Sequence, residues 1–427
     1  MRDLYWWWKD RQIIEKICDN PEAYLVYAPK DTDKVGVDVF IRSGISIETR
    51  EKFGVGHLLE HYLSESALRA HQTDFYMNGR INHEMMNLYA RIDRDKPKEF
   101  IKKFLDKTFK VDFDDQEMLD YEKLAIQNEL NTDSHSLVRR IERKVETGRF
   151  YGECFCIKSF EDSIEPTGQL TLEDIKHHHS KIFNRRNVKI FISLYNPVPA
   201  LKEYLKNILP AYTLPDGPTS TYPSCVYSEH KVEHLPDPSI TGTYIYLTVP
   251  ALCSTASRKD KIVMRMALDL VTGREDAYSV NKFARQEGIY SISSYWVRME
   301  NIGFVCLNSY VPKNRIGKLM KIIGQSLKAI REKPVSASYL KREVRDLGNI
   351  YRKEWRGNDR TNWVIDEMVD EGKYQPLQHY LDLLKTITPE DISEMAKKIL
   401  DRSKLNVYIY GEQPEESDQK LLELLKG

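Results

Sequence analysis

The run His57-Leu58-Leu59-Glu60-His61 is the part of the sequence best suited to metal chemistry. Residues four apart on a helix lie on one face, so His57 and His61 can direct imidazole nitrogens at one ion. Glu60 lies near the same face, where its carboxylate can take a proton from water held at the ion. The pattern H-x-x-E-H is the inverted zinc motif, and it predicts a catalytic metal site.

A third metal ligand must come from another segment, because catalytic zinc has three protein ligands and one open position. Residues 121–130 have a strongly helical composition and contain Glu122 and Glu129, which are seven residues, or two helical turns, apart. Both carboxylates therefore share a face. One of them could ligate the metal while the other supports a ligand as a hydrogen-bond acceptor.

The alternative for the motif helix is a pair of exposed histidines on a charged surface. The apolar residues around them argue against it, because Val55, Leu58, Leu59 and Leu63 predict that part of this helix is buried. A second histidine run, 177–179, could also bind metal. We expect an exposed helical face there, because the other copy of this duplicated helix has Glu394-Met395-Ala396 in place of the three histidines.

Two segments of the chain repeat one pattern. Residues 171–192 read TLEDIKHHHSKIFNRRNVKIFI and residues 388–409 read TPEDISEMAKKILDRSKLNVYI. Each predicts a helix capped by threonine and followed by a β-strand. The alternating strands at 37–41 and 244–248 also resemble each other. We predict two copies of one α+β unit, each an α/β sandwich with a sheet covered by helices.

The boundary between the copies is predicted from composition. Residues 210–223 contain four prolines and one glycine, which is typical of an interdomain linker. We predict a catalytic domain over 1–217 and a homologous domain without a metal motif over 218–427. In the first we expect strands at 22–29, 35–43 and 81–93, and helices at 54–68, 96–110 and 115–147. A helix and a strand near 171–194 close the unit.

Composition excludes several classes of protein. Lysine plus arginine and aspartate plus glutamate both total 64, which argues against a general nucleic-acid binder. No stretch approaches the roughly 20 apolar residues of a membrane span. The N-terminal residues match neither a signal nor a transit peptide, and the six cysteines are scattered, so we expect a cytoplasmic protein.

These residues resemble the pitrilysin/insulinase family of zinc peptidases, in particular its half-length branch, which includes the mitochondrial processing peptidase and its bacterial relatives. The pattern comprises a strand ending at Gly44 with Glu48 after it, the H-x-x-E-H helix, and the distant pair Glu122 and Glu129. The closing Tyr410-Gly411 and the duplication extend the resemblance over nearly the whole chain.

The resemblance implies roles for the catalytic residues. His57, His61 and Glu129 would bind one zinc ion per chain. Glu60 would be the general base, and Glu122 would be a supporting carboxylate.

The resemblance also implies residues that bind substrate and a partner chain. Asn82 corresponds to the Asn-Ala strand motif of the family, and Arg285 and Tyr290 correspond to an arginine and a tyrosine that contact substrate. Because two half-length chains form a clamshell chamber in this family, we expect a homodimer, or a heterodimer with a related chain. Arg285 and Tyr290 would then reach the partner's catalytic site.

The expected function is a zinc-dependent endopeptidase that cleaves extended peptides or unstructured segments, with a processing or peptide-maturation protease as the more specific expectation. The substrate would lie along a sheet edge by strand addition. The alternative is a non-catalytic structural or peptide-binding subunit of a hetero-oligomeric processing complex. Such subunits usually have a degraded H-x-x-E-H motif, whereas the motif is intact here.

Overall fold

The computed structural model describes residues 13–27, 34–70, 75–93, 95–146, 161–194, 198–222, 232–273, 279–289, 292–333, 335–356, 359–399, 401 and 404–426. The chain divides into two compact units. Unit 1 comprises Met1–Lys144, Glu153–Pro223 and Arg352–Pro376, and unit 2 comprises Val145–Gly152, Ser224–Tyr351 and Leu377–Gly427. The sequence did not predict that the late segment Arg352–Pro376 belongs to unit 1.

Unit 1 is built on a six-stranded sheet with the order β1-β2-β6-β3-β5-β4. Its strands β2 and β6 are parallel, and the other neighbours are antiparallel. The strands are β1 (Ile14–Asp19), β2 (Glu22–Tyr27), β3 (Lys34–Ile41), β4 (Phe75–Ile81), β5 (Met86–Asp93) and β6 (Val188–Leu194).

Unit 2 contains a five-stranded sheet with the order β7-β11-β8-β10-β9. Its strands β7 and β11 are parallel, and the remaining neighbours are antiparallel. The strands are β7 (Val232–Pro236), β8 (Thr243–Pro250), β9 (Ser293–Arg298), β10 (Gly303–Val311) and β11 (Asn406–Gly411).

The described α-helices fall into an earlier and a later group along the chain. The earlier helices are α1 (Val55–Ala70), α2 (Pro97–Phe109), α3 (Gln116–His135), α4 (Leu137–Glu146), α5 (Glu161–Gln169), α6 (Leu172–Ile182) and α7 (Pro199–Ile208). The later helices are α8 (Arg258–Thr272), α9 (Val280–Gln286), α10 (Ile316–Glu332), α11 (Ala337–Arg356), α12 (Asp359–Asp370), α13 (Leu377–Lys385), α14 (Pro389–Ile399) and α15 (Asp418–Leu425). None of these described helices has the length and apolar character needed to cross a membrane.

The two faces of the unit 1 sheet have different coverings. Because side chains alternate along a strand, one face of β3 and β5 is apolar and packs into the main core with helices α1, α2, α3 and α6. The opposite face is covered in part by α12, whose Val364, Ile365 and Met368 pack on Phe40 and Phe191. The late segment of the chain therefore supplies a layer of unit 1.

The strand order confirms the α+β fold and the predicted duplication. Taken in chain order, β2 to β6 are arranged first-fifth-second-fourth-third, and β7 to β11 repeat that arrangement. The helix before the last strand is capped alike in both copies. The Thr171 hydroxyl accepts from the Asp174 backbone N–H, and Thr388 and Asp391 form the same bond. The predicted threonine caps are confirmed.

Two predicted elements were wrong in detail. Residues 81–93 form not one strand but the end of a hairpin, in which β4 and β5 pair antiparallel. The turn is fixed by Asn82, whose side-chain oxygen accepts from the backbone N–H groups of Glu84 and Met85. Residues 115–147 are divided into α3 and α4 because Ser136 adopts an extended conformation.

Candidate metal centre

The start of helix α1 is fixed by a buried carboxylate. Glu48 accepts hydrogen bonds from the backbone N–H groups of Gly54 and Gly56 at 2.7 and 2.8 Å. Burial raises the pKa of Glu48 to about 8, against the opposing effect of these two bonds. Gly54 has a φ of +86°, which favours glycine. The helix therefore begins at a defined place just before His57.

The two histidines of α1 lie side by side, and both side chains are partly exposed. Their ring centroids are 4.7 Å apart and the rings are nearly perpendicular. The side chains are 27% exposed for His57 and 18% exposed for His61. The neighbouring Leu58, Leu59 and Leu63 are fully buried, so the helix is anchored by its apolar face. The alternative of two exposed surface histidines does not fit this placement.

Helix α3 carries the distant acidic pair. Asp115 caps its N-terminus, because the Asp115 side chain accepts from the Met118 N–H, and Met118 is buried in the core. Tyr62 of α1 connects the two helices, because its hydroxyl accepts from the Asp115 N–H at 3.3 Å. The two-turn spacing then places both Glu122 and Glu129 against the histidines.

The Glu129 carboxylate faces both imidazoles. Its oxygens lie 3.6 Å from His57 Nε2 and 3.8 Å from His61 Nε2. Two ligand atoms of a tetrahedral zinc ion, each about 2.1 Å from the metal, lie about 3.4 Å apart. The observed separations are close to that value. Burial, and then the neighbouring His61, lower the pKa of His57 to about 4, which keeps its nitrogen lone pair available.

Glu122 fixes the orientation of His61. His61 Nδ1 lies 3.0 Å from the buried Glu122 carboxylate and donates to it, which leaves the lone pair on Nε2, on the side of Glu129. Burial alone would lower the pKa of His61, but the hydrogen bond to Glu122 and the nearby carboxylates of Glu60 and Glu129 raise it. The arrangement thus distinguishes the two acids that the spacing left interchangeable.

The Glu60 side chain projects from α1 against strand β4. It is only 5% exposed, and burial raises its pKa to about 7. One carboxylate oxygen lies 4.0 Å from His57 Nε2, and the Ser64 hydroxyl donates to the other at 3.4 Å. Ligand atoms of His57, Glu60 and His61 all lie within 4.8 Å of one another. A proton acceptor is therefore present beside the predicted ligands.

Gly79 of β4 was missed by the sequence analysis. A Cβ atom added there would lie 1.9 Å from Glu60 Oε1, so the strand passes directly against this carboxylate. The available signal was the pair Asn78-Gly79, in which a small residue follows asparagine as in the Asn-Ala motif. Asn82, which was predicted to bind substrate, uses its side-chain oxygen within the β4–β5 turn, and its role toward substrate stays a prediction.

The two residues predicted to contact substrate from the second domain stay predictions. Arg285 is exposed on α9 in unit 2. Tyr290 lies outside the described residues.

The prediction for the second histidine run was partly wrong. His177 is exposed, but His178 is buried and lies 3.5 Å from the Ser43 hydroxyl. His179 stacks on Phe183. Burial lowers the pKa of the His178 ring to about 3 and that of the partly buried His179 ring to about 4. Helix α6 is amphipathic, so neighbouring histidines of the run lie on its exposed and its buried faces.

Comparison with a family model matches part of the chain. Residues 169–347 match the model described as the peptidase M16 inactive domain. The predicted metal residues lie outside the matched range. No curated protein sequence matches the chain.

Solved structures match over almost the whole chain. A chain of complex III from Candida albicans, with Inz-5 bound, aligns with a TM-score of 0.77 at 12% identity, covering 96% of this chain and 99% of that one. A peptidase M16 inactive domain from Pseudomonas fluorescens aligns with a TM-score of 0.77 at 14% identity, covering 95% and 98%. Pitrilysin aligns with a TM-score of 0.77 at 14% identity, covering 98% of this chain but 48% of pitrilysin.

Together these matches support a relation to the peptidase M16 family. The structural likeness shows the fold, and the family model connects the middle of the chain to M16 sequences.

Proposed function

We propose that this protein is a zinc-dependent endopeptidase that hydrolyses extended peptides or unstructured segments. The observation that carries the proposal is the convergence of His57 Nε2 and His61 Nε2 on the Glu129 carboxylate, with buried Glu60 beside them. Two imidazoles, one carboxylate and an adjacent acid are the groups that metal-assisted hydrolysis requires.

In this proposal His57, His61 and Glu129 hold one zinc ion per chain. Bound zinc would supply Lewis-acid polarisation of a peptide carbonyl and would lower the pKa of a water molecule. Glu122 keeps His61 in the tautomer that presents Nε2 to the site.

Glu60 would carry the proton transfers. It takes a proton from the attacking water and delivers it to the nitrogen of the leaving amine. Its burial and its contact with Gly79 hold the carboxylate in one place, so that little reorganisation accompanies the transfer.

The substrate would bind along strand β4. This strand ends the order of the unit 1 sheet as described, so one of its edges is available for an added strand. The backbone of an extended peptide on that edge would pass beside Gly79 and Glu60. We retain Asn82, Arg285 and Tyr290 as proposed substrate contacts, with Arg285 and Tyr290 coming from a partner chain.

We also propose that the working form is a dimer, either of identical chains or with a related chain. The pitrilysin alignment supports this, because it spans 98% of the present chain but only 48% of pitrilysin. A cytoplasmic location is proposed as well. The free thiol of Cys18 agrees with a reducing compartment.

A second candidate function is a non-catalytic structural or peptide-binding subunit. Two matches favour it: the family model bears the description of an inactive domain, and one solved relative is a chain of complex III. The two functions differ in whether the His57–Glu129 cluster binds metal and cleaves peptide.

Elemental analysis and peptide cleavage together test the proposal. Wild type should contain about one zinc per chain, as expected for a single catalytic site. His57→Ala and Glu129→Gln should lose both the metal and the cleavage of an unstructured reporter peptide. His177→Ala and Glu117→Gln are matched controls, because both residues are exposed on helices of unit 1. A wild-type protein that takes up no metal when zinc is supplied would favour the non-catalytic subunit.

A further inference from the structure

Strand β4 presents different chemistry on its two faces. Gly79 faces Glu60 of α1, because a Cβ atom added to Gly79 would lie 1.9 Å from Glu60 Oε1. Because side chains alternate along a strand, Asn78 and Arg80 point to the opposite face. Both are exposed.

A cleft of about 310 Å³ opens on this opposite face. All of its residues belong to unit 1. Strands β3, β4 and β5 and helix α12 line it, and its polar lining includes Asp38, Arg80, Asn87, Arg91 and Asp366. Register places Arg80 beside Asn87, and Asn87 beside Phe40, so one row of side chains runs from the edge strand into the cleft.

The polar groups of the cleft differ in whether they have an ion-pair or hydrogen-bond partner. Arg91 pairs with the buried Asp38 at 3.2 Å and lies over the Tyr89 ring. Arg80 makes no ion pair or hydrogen bond with any residue that the structure describes. The side-chain oxygen of Asn87, a residue that is 4% exposed, also has no hydrogen-bond partner among the described residues. The row next to the edge strand therefore contains polar groups that are available to a ligand.

A peptide added to the edge of β4 would present its side chains to both faces. The peptide residue opposite Gly79 would point toward Glu60, because directly opposed residues in a sheet share a face. The residues on either side of it would point the other way, and one of them would lie opposite Arg80. That position is set by the strand and not by the metal ligands.

We infer that Arg80 selects substrates with an acidic side chain at the position next to the residue that faces Glu60. This inference rests on the proposed function and narrows its substrate class to peptides with an acidic residue beside the cleavage site. A guanidinium group offers several N–H donors in a planar arrangement that matches a carboxylate. Of the acids in the cleft, Asp38 is already paired with Arg91, and Asp366 projects from α12 on the other wall.

Peptide binding tests the inference without depending on cleavage. The catalytically impaired variant Glu60→Gln is mixed with a short labelled peptide, and fluorescence anisotropy gives the affinity. The peptide is uncharged except for one Glu, which is moved position by position, and a parallel series carries Lys instead. Opposite charges facing each other across strands should favour Glu over Lys by up to about fivefold at one position. A weaker preference should recur at alternate positions.

Charge reversal identifies the residue responsible. Adding Arg80→Glu should reverse the preference at the most sensitive position and leave the positions next to it unchanged. Adding Arg186→Glu is the matched control, because Arg186 is an exposed arginine of unit 1 away from β4, and it should leave the pattern intact. Equal affinity for the two series, or the same change from both reversals, would overturn the inference.

Cleavage by the wild-type enzyme separates this inference from the proposed function. Cleavage of Glu and Lys peptides at equal rates would overturn the acidic preference while the peptidase function stood. Charge-dependent binding without any cleavage by zinc-loaded wild type would overturn the peptidase function and support Arg80 as a binding determinant. Absence of both binding and cleavage would overturn both.

Discussion

Helices α1 and α8 follow the corresponding strands β3 and β8 of two sheets with one topology, yet they bury different side chains. Helix α1 combines an apolar face with His57, Glu60 and His61. The buried residues of α8 are all apolar: Ile262, Val263, Met264, Met266, Ala267, Leu268, Leu270 and Val271. The fold therefore does not require charged groups on this helix, and their presence in unit 1 points to a role other than packing.

The features shared by the two units show what the fold itself requires. The capping threonines recur, and so does an ion pair to the capping aspartate: Lys52 to Asp174 at 2.7 Å, and Lys259 to Asp391 at 2.9 Å. In unit 1 the ion pair joins the residues just before α1 to α6. In unit 2 it joins α8 to α14. Structural contacts are repeated, whereas the candidate metal centre occurs in unit 1 alone among the described residues.

The largest expected effect concerns the group that most distinguishes α1 from α8. Glu60→Gln should lower kcat/KM for a reporter peptide by about 10²–10⁴-fold, the usual contribution of a general acid–base residue. Zinc content and thermal stability should change little, because the amide is of similar size. Cleavage assays and elemental analysis, with Glu117→Gln as control, measure this. Cleavage by the variant at the wild-type rate would show that Glu60 gives α1 no catalytic role that α8 lacks.

The support given to His61 should have the next largest effect. Glu122→Gln weakens the acceptor that fixes the His61 tautomer, so zinc affinity should fall by about 10–100-fold. Competition with a metal chelator measures the affinity. An unchanged affinity would mean that Glu122 is only a packing residue, like its apolar neighbours.

Burial of Glu48 should make the stability of unit 1 depend on pH. Its folded pKa is about 8, against an unfolded value of 4.5. As pH rises between these values, the unfolded chain loses the proton first, so the free energy of unfolding should fall and then level off above pH 8.

Glu48→Gln should reduce that slope, because the substituted group does not titrate. Thermal unfolding of metal-free wild type and variant at several pH values measures the difference. Identical pH profiles for the two proteins would show that this carboxyl does not contribute to the pH dependence.

The smallest effects should be those that the units share. Lys52→Ala and Lys259→Ala each remove one partly exposed ion pair, so each should lower the free energy of unfolding by about 0.2–1 kcal/mol. Chemical denaturation measures both. A loss several times larger for one of them would show that the repeated contact has different structural importance in the two units.

The candidate site was more predictable than the surroundings that complete it. Helical spacing predicted that His57 and His61 share one face and that Glu122 and Glu129 share another, because the period of a helix fixes which residues lie together. The structure places these two faces in contact. Spacing could not distinguish Glu122 from Glu129, since that depends on how α3 packs against α1. Gly79 was missed for a similar reason: its contact with Glu60 spans two elements and depends on the hairpin turn.

The duplication was readable because caps and alternating strands leave local patterns, and the sheet order confirmed it. The contribution of α12 to unit 1 was not readable, because an amphipathic helix does not show in its sequence which apolar surface it will cover. The burial of His178 was missed as well. Three consecutive histidines resemble a polar run, but one of the three positions on α6 faces the core.

The strand order also determines when unit 1 can be completed as the chain leaves the ribosome. Strand β6 lies between β2 and β3, so neither of these earlier strands has both neighbours until about residue 194 has been synthesised. Phe40 and Phe191 on the other face stay uncovered until Val364, Ile365 and Met368 have been synthesised. A nascent or truncated chain ending at the interdomain linker would carry an uncovered apolar surface, the kind of surface that chaperones bind and that promotes aggregation.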